Sequence, residues 1–224
     1  MGIVRALYDS RISTPPTREC YFPNAKRFTD CWLEIRRQAL AIATTRPKVP
    51  RFHDIMAAQA DISDNDGRDW RIFIIKAYGV TRPQNPSRCP TVASILKETP
   101  EVMSCPFSFL APGKHIPEHR GPLRAILRFH LMLSTPCDKD GIPACIMNID
   151  GLPYRLGDGE SLLWDDTYRH EVWNRSNQVR IALLLDVWRK HMPVDISLLS
   201  RVILLGTQAV IRVGALSYSR VICA

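Results

Sequence analysis

The sequence predicts a mainly β domain with flanking helices, arranged as a double-stranded jelly roll. From residue 106 onward, short apolar runs alternate with Pro, Gly and Asp. Many short strands separated by frequent turns are typical of sandwiches and barrels rather than of alternating βα units. Before that point the apolar spacing is largely helical. The 224 residues suffice for one domain with a substantial buried core.

The N-terminal part is predicted to support the barrel. Pro15, Pro16 and Pro23 predict an irregular lead-in over residues 1–24. Residues 28–43 carry apolar side chains at steps of three and four, which predicts an amphipathic helix.

These patterns divide the chain into three segments of a single domain. Residues 1–69 are the lead-in and helical support, residues 70–192 are the jelly-roll core, and residues 193–224 are an apolar C-terminal helix. The core opens with residues 70–79, whose β-branched and aromatic content predicts a strand. Residues 90–98 begin with a proline suited to a first helical turn and predict a short helix.

The composition excludes some partners. The net charge is +8, but the basic residues are scattered without a run of five or more, so we expect an ordinary basic surface and no nucleic-acid partner. The seven cysteines are an odd number without a C-x-x-C pair, which indicates neither a disulfide framework nor a zinc ribbon. Reduced cysteines in a reducing compartment predict a cytoplasmic protein.

Residues 193–216 predict a helix that is apolar on most sides. The most apolar run, Val202 to Ile211, has ten residues and is bracketed by Arg201 and Arg212. A spanning helix needs about 20 apolar residues, so none is predicted. Three interpretations of this helix remain open. It docks on the chain's own domain, on a homodimer partner, or peripherally on a membrane surface.

Strand alternation predicts where polar groups point. In AILRFHLML, Arg128 and His130 share one face with an isoleucine and a methionine, while three leucines and a phenylalanine fill the other. In VRIALLLDVW, Arg180 lies opposite the face of Val179 and Ile181. A guanidinium inside an apolar strand must be paired to be tolerated, so these faces indicate a polar site within the barrel.

Two histidines are candidate metal ligands. His119 lies in the segment HIPEHRGP, predicted to be a loop between two strands, and His170 follows WDDTYR at the end of another predicted strand. HIPEH is not the zinc-protease pattern HExxH, because its glutamate adjoins the second histidine. Spacing alone is weak evidence for a metal site.

The segments FIIKAYG, CPTVASILKETPEV, FSFLAPGKHIPEHRGP, LRFHLML, LLWDDTYRHEVWN and VRIALLLDVW supply a more specific signal. In this order and spacing, residues 70–189 resemble the catalytic domain of the aspartyl/asparaginyl β-hydroxylase family, which includes the lipid A hydroxylases. The resemblance implies a cupin-like jelly roll and an iron(II)- and 2-oxoglutarate-dependent dioxygenase that consumes O2.

The resemblance also implies a metal site. His119 and His170 match the two iron-binding histidines of the family. The carboxylate that many related enzymes carry two residues after the first histidine is replaced here by Gly121, as in the family resembled. Water is expected in that coordination position, held by Asp166 as a catalytic residue. In halogenating relatives of the wider class a halide takes the position, so halogenation stays an alternative.

The same match assigns cofactor-binding residues. Arg180 matches the arginine that pairs with the distal carboxylate of 2-oxoglutarate, and Ser108 the hydroxyl that shares it. Arg128 and His130 match residues near the end that chelates iron. A planar guanidinium suits a planar carboxylate because two charge-assisted hydrogen bonds fix its orientation.

The expected reaction is hydroxylation of a C–H bond in a small-molecule, lipid or peptide substrate, with succinate and CO2 as co-products. In the animal aspartyl hydroxylases an arginine that holds the substrate carboxylate stands two residues before the counterpart of Arg128. Ile126 occupies that position here and favours a more apolar substrate. Hydroxylation of aspartyl or asparaginyl side chains in a protein, and a non-catalytic jelly-roll binding module, are the alternatives.

Overall fold

The computed structural model describes residues 2–12, 16–17, 22–45, 48–81 and 84–222. Within these residues ten strands form the body of the molecule, and helices surround it. The strands are β1 (Trp70–Ala77), β2 (Val80–Thr81), β3 (Val102–Leu110), β4 (His115–His119), β5 (Ile126–Ser134), β6 (Cys145–Ile149), β7 (Leu152–Tyr154), β8 (Ser161–Trp164), β9 (His170–Asn174) and β10 (Arg180–Trp188). The helices are α1 (Gly2–Arg11), α2 (Ala25–Thr29), α3 (Trp32–Ala43), α4 (Phe52–Ile55), α5 (Pro90–Glu98) and α6 (Val194–Ile222).

The strands form two antiparallel sheets. A major sheet has the order β2-β1-β3-β10-β5-β8, and a minor sheet has the order β4-β9-β6-β7. Apart from the consecutive pairs β1–β2 and β6–β7, neighbouring strands are not consecutive in sequence, and the chain repeatedly crosses between the sheets. This is the predicted jelly roll with flanking helices, and the fold prediction is confirmed.

Three apolar clusters hold these layers together. The largest lies between the outer face of the major sheet and α2, α3 and α5, and includes Phe28, Ile35, Phe129 and Leu183. A second fills part of the space between the sheets. The third joins α1 and α6 to the start of β5. As predicted, the apolar face of β5 packs in the first cluster, which leaves its polar face inward.

Two N-terminal predictions need correction. The lead-in is not irregular throughout, because α1 spans Gly2–Arg11 and buries Tyr8 at 2% exposure. The three prolines all follow this helix and therefore limit it rather than prevent it. The predicted helix over residues 28–43 is divided at Asp30 and Cys31 into α2 and α3. Its apolar spacing still predicts the buried side.

The structure also changes the setting of both histidines. His119 is the last residue of β4, not part of a loop, and His170 begins β9 rather than ending a strand. The proline and glycine content of HIPEHRGP had suggested a loop. However, β4 is an edge strand with a register shift between Ile116 and His119, where a proline is tolerated.

The remaining predicted elements fit closely. Residues 90–98 form α5 as predicted, and β1 ends at Ala77 because Tyr78 and Gly79 turn with positive φ. α6 extends to residue 222, which is beyond the apolar pattern of residues 193–216 but within the C-terminal segment predicted to be helical. Its stretch Val194–Ile211 has a mean hydropathy of 1.6 and could cross a membrane by length and composition alone, so the ten-residue argument was too restrictive.

Cysteines occur without disulfides in the described segments. Cys31, Cys89, Cys105, Cys137 and Cys145 are free there. Cys20 and Cys223 lie outside the described residues. Burial raises the pKa of the Cys89 thiol to about 12, which makes it an unreactive apolar side chain.

Candidate functional site

His119 and His170 face each other on neighbouring strands of the minor sheet. They are direct partners in the register of β4 and β9, and their ring centroids lie 4.0 Å apart. The rings are tilted by 57° and are therefore not stacked. The structure thus brings together two imidazoles that are 51 residues apart in sequence.

Each imidazole is oriented by a carbonyl two residues earlier. His119 Nδ1 lies 2.8 Å from Pro117 O, and His170 Nδ1 lies 2.9 Å from Tyr168 O. A carbonyl only accepts, so each Nδ1 carries the proton and each Nε2 presents a lone pair. Burial lowers the pKa of His119, and burial together with His119 lowers the pKa of His170 to about 3. Both rings are neutral near pH 7, as metal binding requires.

Asp166 lies in the turn between β8 and β9, four residues before His170. A Cβ added to Gly121 would fall 2.2 to 2.4 Å from three atoms of the Asp166 carboxyl group. Only glycine fits at position 121, and the Asp166 carboxyl fills the space where another side chain would start. Burial raises the pKa of Asp166 to about 6, although Arg128 opposes the shift.

No group of three His, Cys, Asp or Glu side chains placed to hold a metal occurs among the described residues. Any metal at the histidine pair would therefore take two protein nitrogens, with the remaining coordination positions left to small molecules.

Arg128 links Asp166 to Asp186 of the major sheet. It lies directly across from Asp186 in the pairing of β5 and β10, and its Nε donates to Asp186 Oδ1 at 3.0 Å. Its Nη2 lies 3.2 Å from Asp166 Oδ2. Two buried carboxylates therefore fix this guanidinium, which satisfies the demand for a partner inside the barrel.

Arg180 has no such partner. It begins β10, is 2% exposed, and its Nε and Nη1 have no hydrogen-bond acceptor among the described residues. Its guanidinium contacts the Cys145 thiol on the minor sheet, and burial lowers its pKa. A buried cation with two unsatisfied donors is costly in isolation and suits an anionic ligand.

Ser108 lies close to Arg180 on the major sheet. It pairs with Ala182, two residues along β10 and on the same face as Arg180. The Ser108 hydroxyl oxygen accepts a hydrogen bond from Trp70 Nε1 at 3.0 Å. Its own proton therefore remains available to a ligand beside Arg180.

His130 and Trp164 line the space between the sheets. The ring of Trp164 stands edge-on to His170 at 4.6 Å and to His130 at 5.6 Å. His130 Nδ1 and Trp164 Nε1 have no partner among the described residues. Burial, reinforced by Arg180, lowers the pKa of His130 well below its usual value, so this imidazole is neutral.

The seven residues singled out from the sequence thus lie on β3, β4, β5, β9 and β10 or in the turn before β9. Sequence reasoning missed two contributors, Asp186 and Trp70. Asp186 interrupts an apolar strand on the same face as Arg180, which was a usable signal. The role of Trp70 depends on register, which the sequence does not state.

Ile126 has a packing role as well. It is 5% exposed and belongs to the apolar cluster that contains Tyr8 and Ile196, from α1 and α6. This burial is a sufficient structural reason for an apolar residue at the position.

The donor set fits the groups that the resemblance implies. Two neutral imidazoles with free Nε2 atoms suit a borderline divalent metal such as iron(II). The unpaired donors of Arg180, with the Ser108 hydroxyl nearby, suit a carboxylate.

A family model described as aspartyl/asparaginyl beta-hydroxylase matches residues 29–190, which include every residue of this site. The chain belongs to the aspartyl/asparaginyl β-hydroxylase family. The match covers most of the chain, from the last residue of α2 to just after β10.

Two relatives illustrate the range of the family. An ornithine lipid ester-linked acyl 2-hydroxylase of Rhizobium tropici is 31% identical over 178 residues, which are 79% of this chain and 62% of the relative. The human aspartyl/asparaginyl beta-hydroxylase is 29% identical over 129 residues, which are 55% of this chain and 16% of the relative. The chain therefore spans less than two thirds of the length of either relative.

Among solved structures, a 2OG-Fe(II) oxygenase family protein from Burkholderia pseudomallei matches with a TM-score of 0.46 and 13% identity. That match covers 68% of this chain and 79% of the other. Nothing about chemistry follows from a likeness at this level.

Proposed function

We propose that this chain is an iron(II)- and 2-oxoglutarate-dependent dioxygenase that hydroxylates a C–H bond of a lipid acyl group. The observation that carries the proposal is that one protein interior contains both two neutral imidazoles and a buried guanidinium that has no carboxylate partner among the described residues. His119 and His170 would hold the metal through their Nε2 atoms. Arg180 would bind the distal carboxylate of 2-oxoglutarate.

The iron, when bound with 2-oxoglutarate and O2, supplies the oxidant for hydroxylation, with succinate and CO2 as co-products. The chain's own residues orient the reactants and exclude water. Ser108 would donate to the carboxylate held by Arg180, while Arg128 and His130 would contact the opposite end of the co-substrate. Asp166 would accept a hydrogen bond from a water molecule beside the histidine pair.

Support for an acyl substrate comes from two sources. The Rhizobium tropici relative is named for hydroxylation of an ester-linked acyl group and matches more of this chain than the human relative does. Ile126 also removes the arginine that would bind a substrate carboxylate in the animal enzymes. Small metabolites and peptides remain within the broader proposal of C–H hydroxylation.

The human relative motivates a second candidate, hydroxylation of aspartyl or asparaginyl side chains. A substrate comparison separates the two candidates. Mass spectrometry of purified acyl lipids and of acidic peptides, each incubated with enzyme, should show addition of one oxygen to the lipids. Addition to peptides alone would favour the second candidate.

The core proposal is tested by metal and co-substrate measurements on the histidine variants. The protein should bind about one iron(II) per chain and release succinate from 2-oxoglutarate, and His119→Ala and His170→Ala should abolish both. His115→Ala is the matched control, since His115 stacks on Trp173 at 3.4 Å, away from the pair. Undiminished iron binding and succinate release in both site variants would reject the assignment. A protein without metal affinity would instead be a non-catalytic binding module.

A further inference from the structure

α6 buries only one of its sides. Ile196 and Ser200 are fully buried, Ser200 hydrogen-bonds the Tyr8 hydroxyl of α1, and Gln208 Nε2 donates to Tyr78 O at 2.7 Å. These residues are spaced four or eight apart and share one face of the helix. That face is held by the body of the molecule.

The opposite face is apolar and exposed. Val194, Leu198, Val202 and Leu205 follow each other at steps of four, four and three, and are 76%, 59%, 67% and 64% exposed. We call these four residues the apolar stripe. With Val210, α6 supplies five of the ten large apolar side chains that are exposed in the described chain. Exposed apolar side chains that gather on one helix face are typical of a surface that binds a protein or a membrane.

The length of α6 exceeds what this packing requires. Its 29 residues extend about 44 Å at 1.5 Å per residue. Val210 is 72% exposed although its position on the helix is nearer the buried side than the stripe. This side of the helix is therefore less closely packed on the body at Val210 than at Ile196 and Ser200.

The charges around the stripe are basic. Asp195, the single acidic residue of α6, is paired with Arg11 at 3.0 Å. Arg201 is exposed beside the stripe, and Arg212 and Arg220 follow in the sequence.

A groove adjoins the same edge of the helix. Met103, Trp188 and Leu204 give it an apolar lining, with Lys190 and Arg201 among its other wall residues. Glu101 also lines it, and its carboxylate accepts a hydrogen bond from Asn24 Nδ2 at 2.6 Å. Apolar surface with cations along its border matches an anionic lipid surface better than a second copy of this basic chain.

We propose that α6 lies in the plane of an anionic bilayer surface, with the apolar stripe in the acyl boundary and Arg201 and Lys190 among the phosphate groups. The helix is long and apolar enough to span, but its inner face is committed to the body through Ile196 and Ser200. A helix that lies in the plane of the surface can keep its inner face packed on the body and bury the apolar stripe in lipid.

This docking would bring lipid close to the candidate site. Ile196 and Ile203 of α6 belong to the same apolar cluster as Ile126, which begins β5 two residues before Arg128. The inference goes beyond the proposed reaction and does not depend on it, since it concerns binding to a surface.

Vesicle flotation of the purified full chain tests the proposal without an activity measurement. We expect binding to phosphatidylcholine vesicles that contain phosphatidylglycerol, and weaker binding at raised salt or without the anionic lipid. The triple variant Leu198→Ser/Val202→Ser/Leu205→Ser should lose at least about tenfold in partitioning, because three apolar side chains no longer enter the lipid.

The matched control is Leu33→Ser/Leu152→Ser. These residues are 64% and 58% exposed on α3 and β7, so the variant loses two exposed apolar side chains away from α6 and should bind vesicles like the parent. Circular dichroism and thermal unfolding would show that both variants remain folded.

Two results would overturn the proposal. One is vesicle binding that is absent or equal in the parent and the triple variant. The other is a parent that sediments as a dimer and ignores vesicles, while the triple variant is monomeric, because a second copy would then cover the stripe. If the parent protein released no succinate, the proposed reaction would be contradicted. Vesicle binding would still test the docking proposal by itself.

Discussion

Arg128 and Asp186 lie directly opposite each other on β5 and β10, and Asp186 Oδ1 accepts from Arg128 Nε at 3.0 Å and lies 2.9 Å from its Nη2. Asp166 contacts the same guanidinium from the turn before His170. The pair therefore connects the major sheet to the segment that carries a candidate metal ligand. Residues with a structural role and residues with a proposed chemical role are joined in one buried network.

Asp186→Asn tests this connection. The variant leaves Arg128 with only one carboxylate partner, so we expect the free energy of unfolding to fall by roughly 3 kcal/mol. Succinate release should fall as well, because Arg128 and Asp166 lose their fixed positions. Urea unfolding and a coupled succinate assay measure the two effects.

Asp30→Asn is the control for this variant, since Asp30 pairs with Lys26 on the exposed surface of the helix pair at residues 25–43. It should leave both quantities unchanged. Equal stability of Asp186→Asn and the parent would show that the buried pair is not a structural link.

Arg180→Met separates a functional residue from a structural one. The parent buries two unsatisfied donors, so an apolar side chain of similar length should raise the free energy of unfolding by about 1–3 kcal/mol. The same variant should lose binding of 2-oxoglutarate. Thermal unfolding with and without the co-substrate checks both, since ligand stabilises only a chain that binds it.

Arg180→Lys gives a second measurement at this position. It keeps the charge but not the planar guanidinium, so the KM for 2-oxoglutarate should rise more than kcat falls. If Arg180→Met is strongly destabilised and still responds to 2-oxoglutarate, the residue has a structural role and the carboxylate binds elsewhere.

Much of this site follows from strand alternation alone. The period of two in residues 125–133 places Arg128 and His130 on one face, and the structure agrees because a β-strand has no other way to arrange alternate side chains. The same reasoning predicted that Arg180 lies on the inner face of its strand. Faces are local properties, and a sequence determines them well.

Register and distant contacts are not local, and there sequence reasoning was less complete. Nothing in β5 or β10 alone states that Arg128 lies opposite Asp186, and nothing near Ser108 indicates Trp70. α1 was missed because prolines after it obscured a helical start. Pro117 concealed β4 for a related reason, since its compatibility with a strand depends on β4 lying at a sheet edge.

Gly121→Ala tests the close approach of Gly121 and Asp166. The added Cβ would meet the Asp166 carboxyl group at 2.2 to 2.4 Å, so the carboxyl must leave its place beside Arg128. We expect a loss of roughly 1–3 kcal/mol in stability, the usual range for overpacking, and a loss of succinate release. Denaturant unfolding and the succinate assay would be compared with those of Asp166→Ala.

The double variant Gly121→Ala/Asp166→Ala makes this prediction sharper. Once the carboxyl group is gone, the added methyl group has room, so the double variant should be no less stable than Asp166→Ala alone. Additive losses in the double-mutant cycle would mean that position 121 acts through some other contact.

Lys114 and Asp66 predict a pH dependence of stability. Lys114 is fully buried, and its Nζ donates to Asp66 Oδ1 and to Asn65 Oδ1 at 2.6 and 2.7 Å. Burial opposes ionisation of Asp66, but hydrogen bonds from the His115 amide and the Lys114 ammonium outweigh it and lower the pKa of the carboxyl. A lowered folded pKa means that the charged form stabilises the fold.

The contribution of Asp66 should therefore be complete above the usual carboxyl pKa of about 4, and be lost as the pH falls through the lower folded value. Asp66→Asn should be less stable than the parent by about 3 kcal/mol at pH 7, since the buried Lys114 side chain loses its carboxylate partner. The difference should shrink towards pH 3. Urea unfolding of both proteins from pH 3 to 8 measures it, and a difference independent of pH would contradict a role for the Asp66 charge.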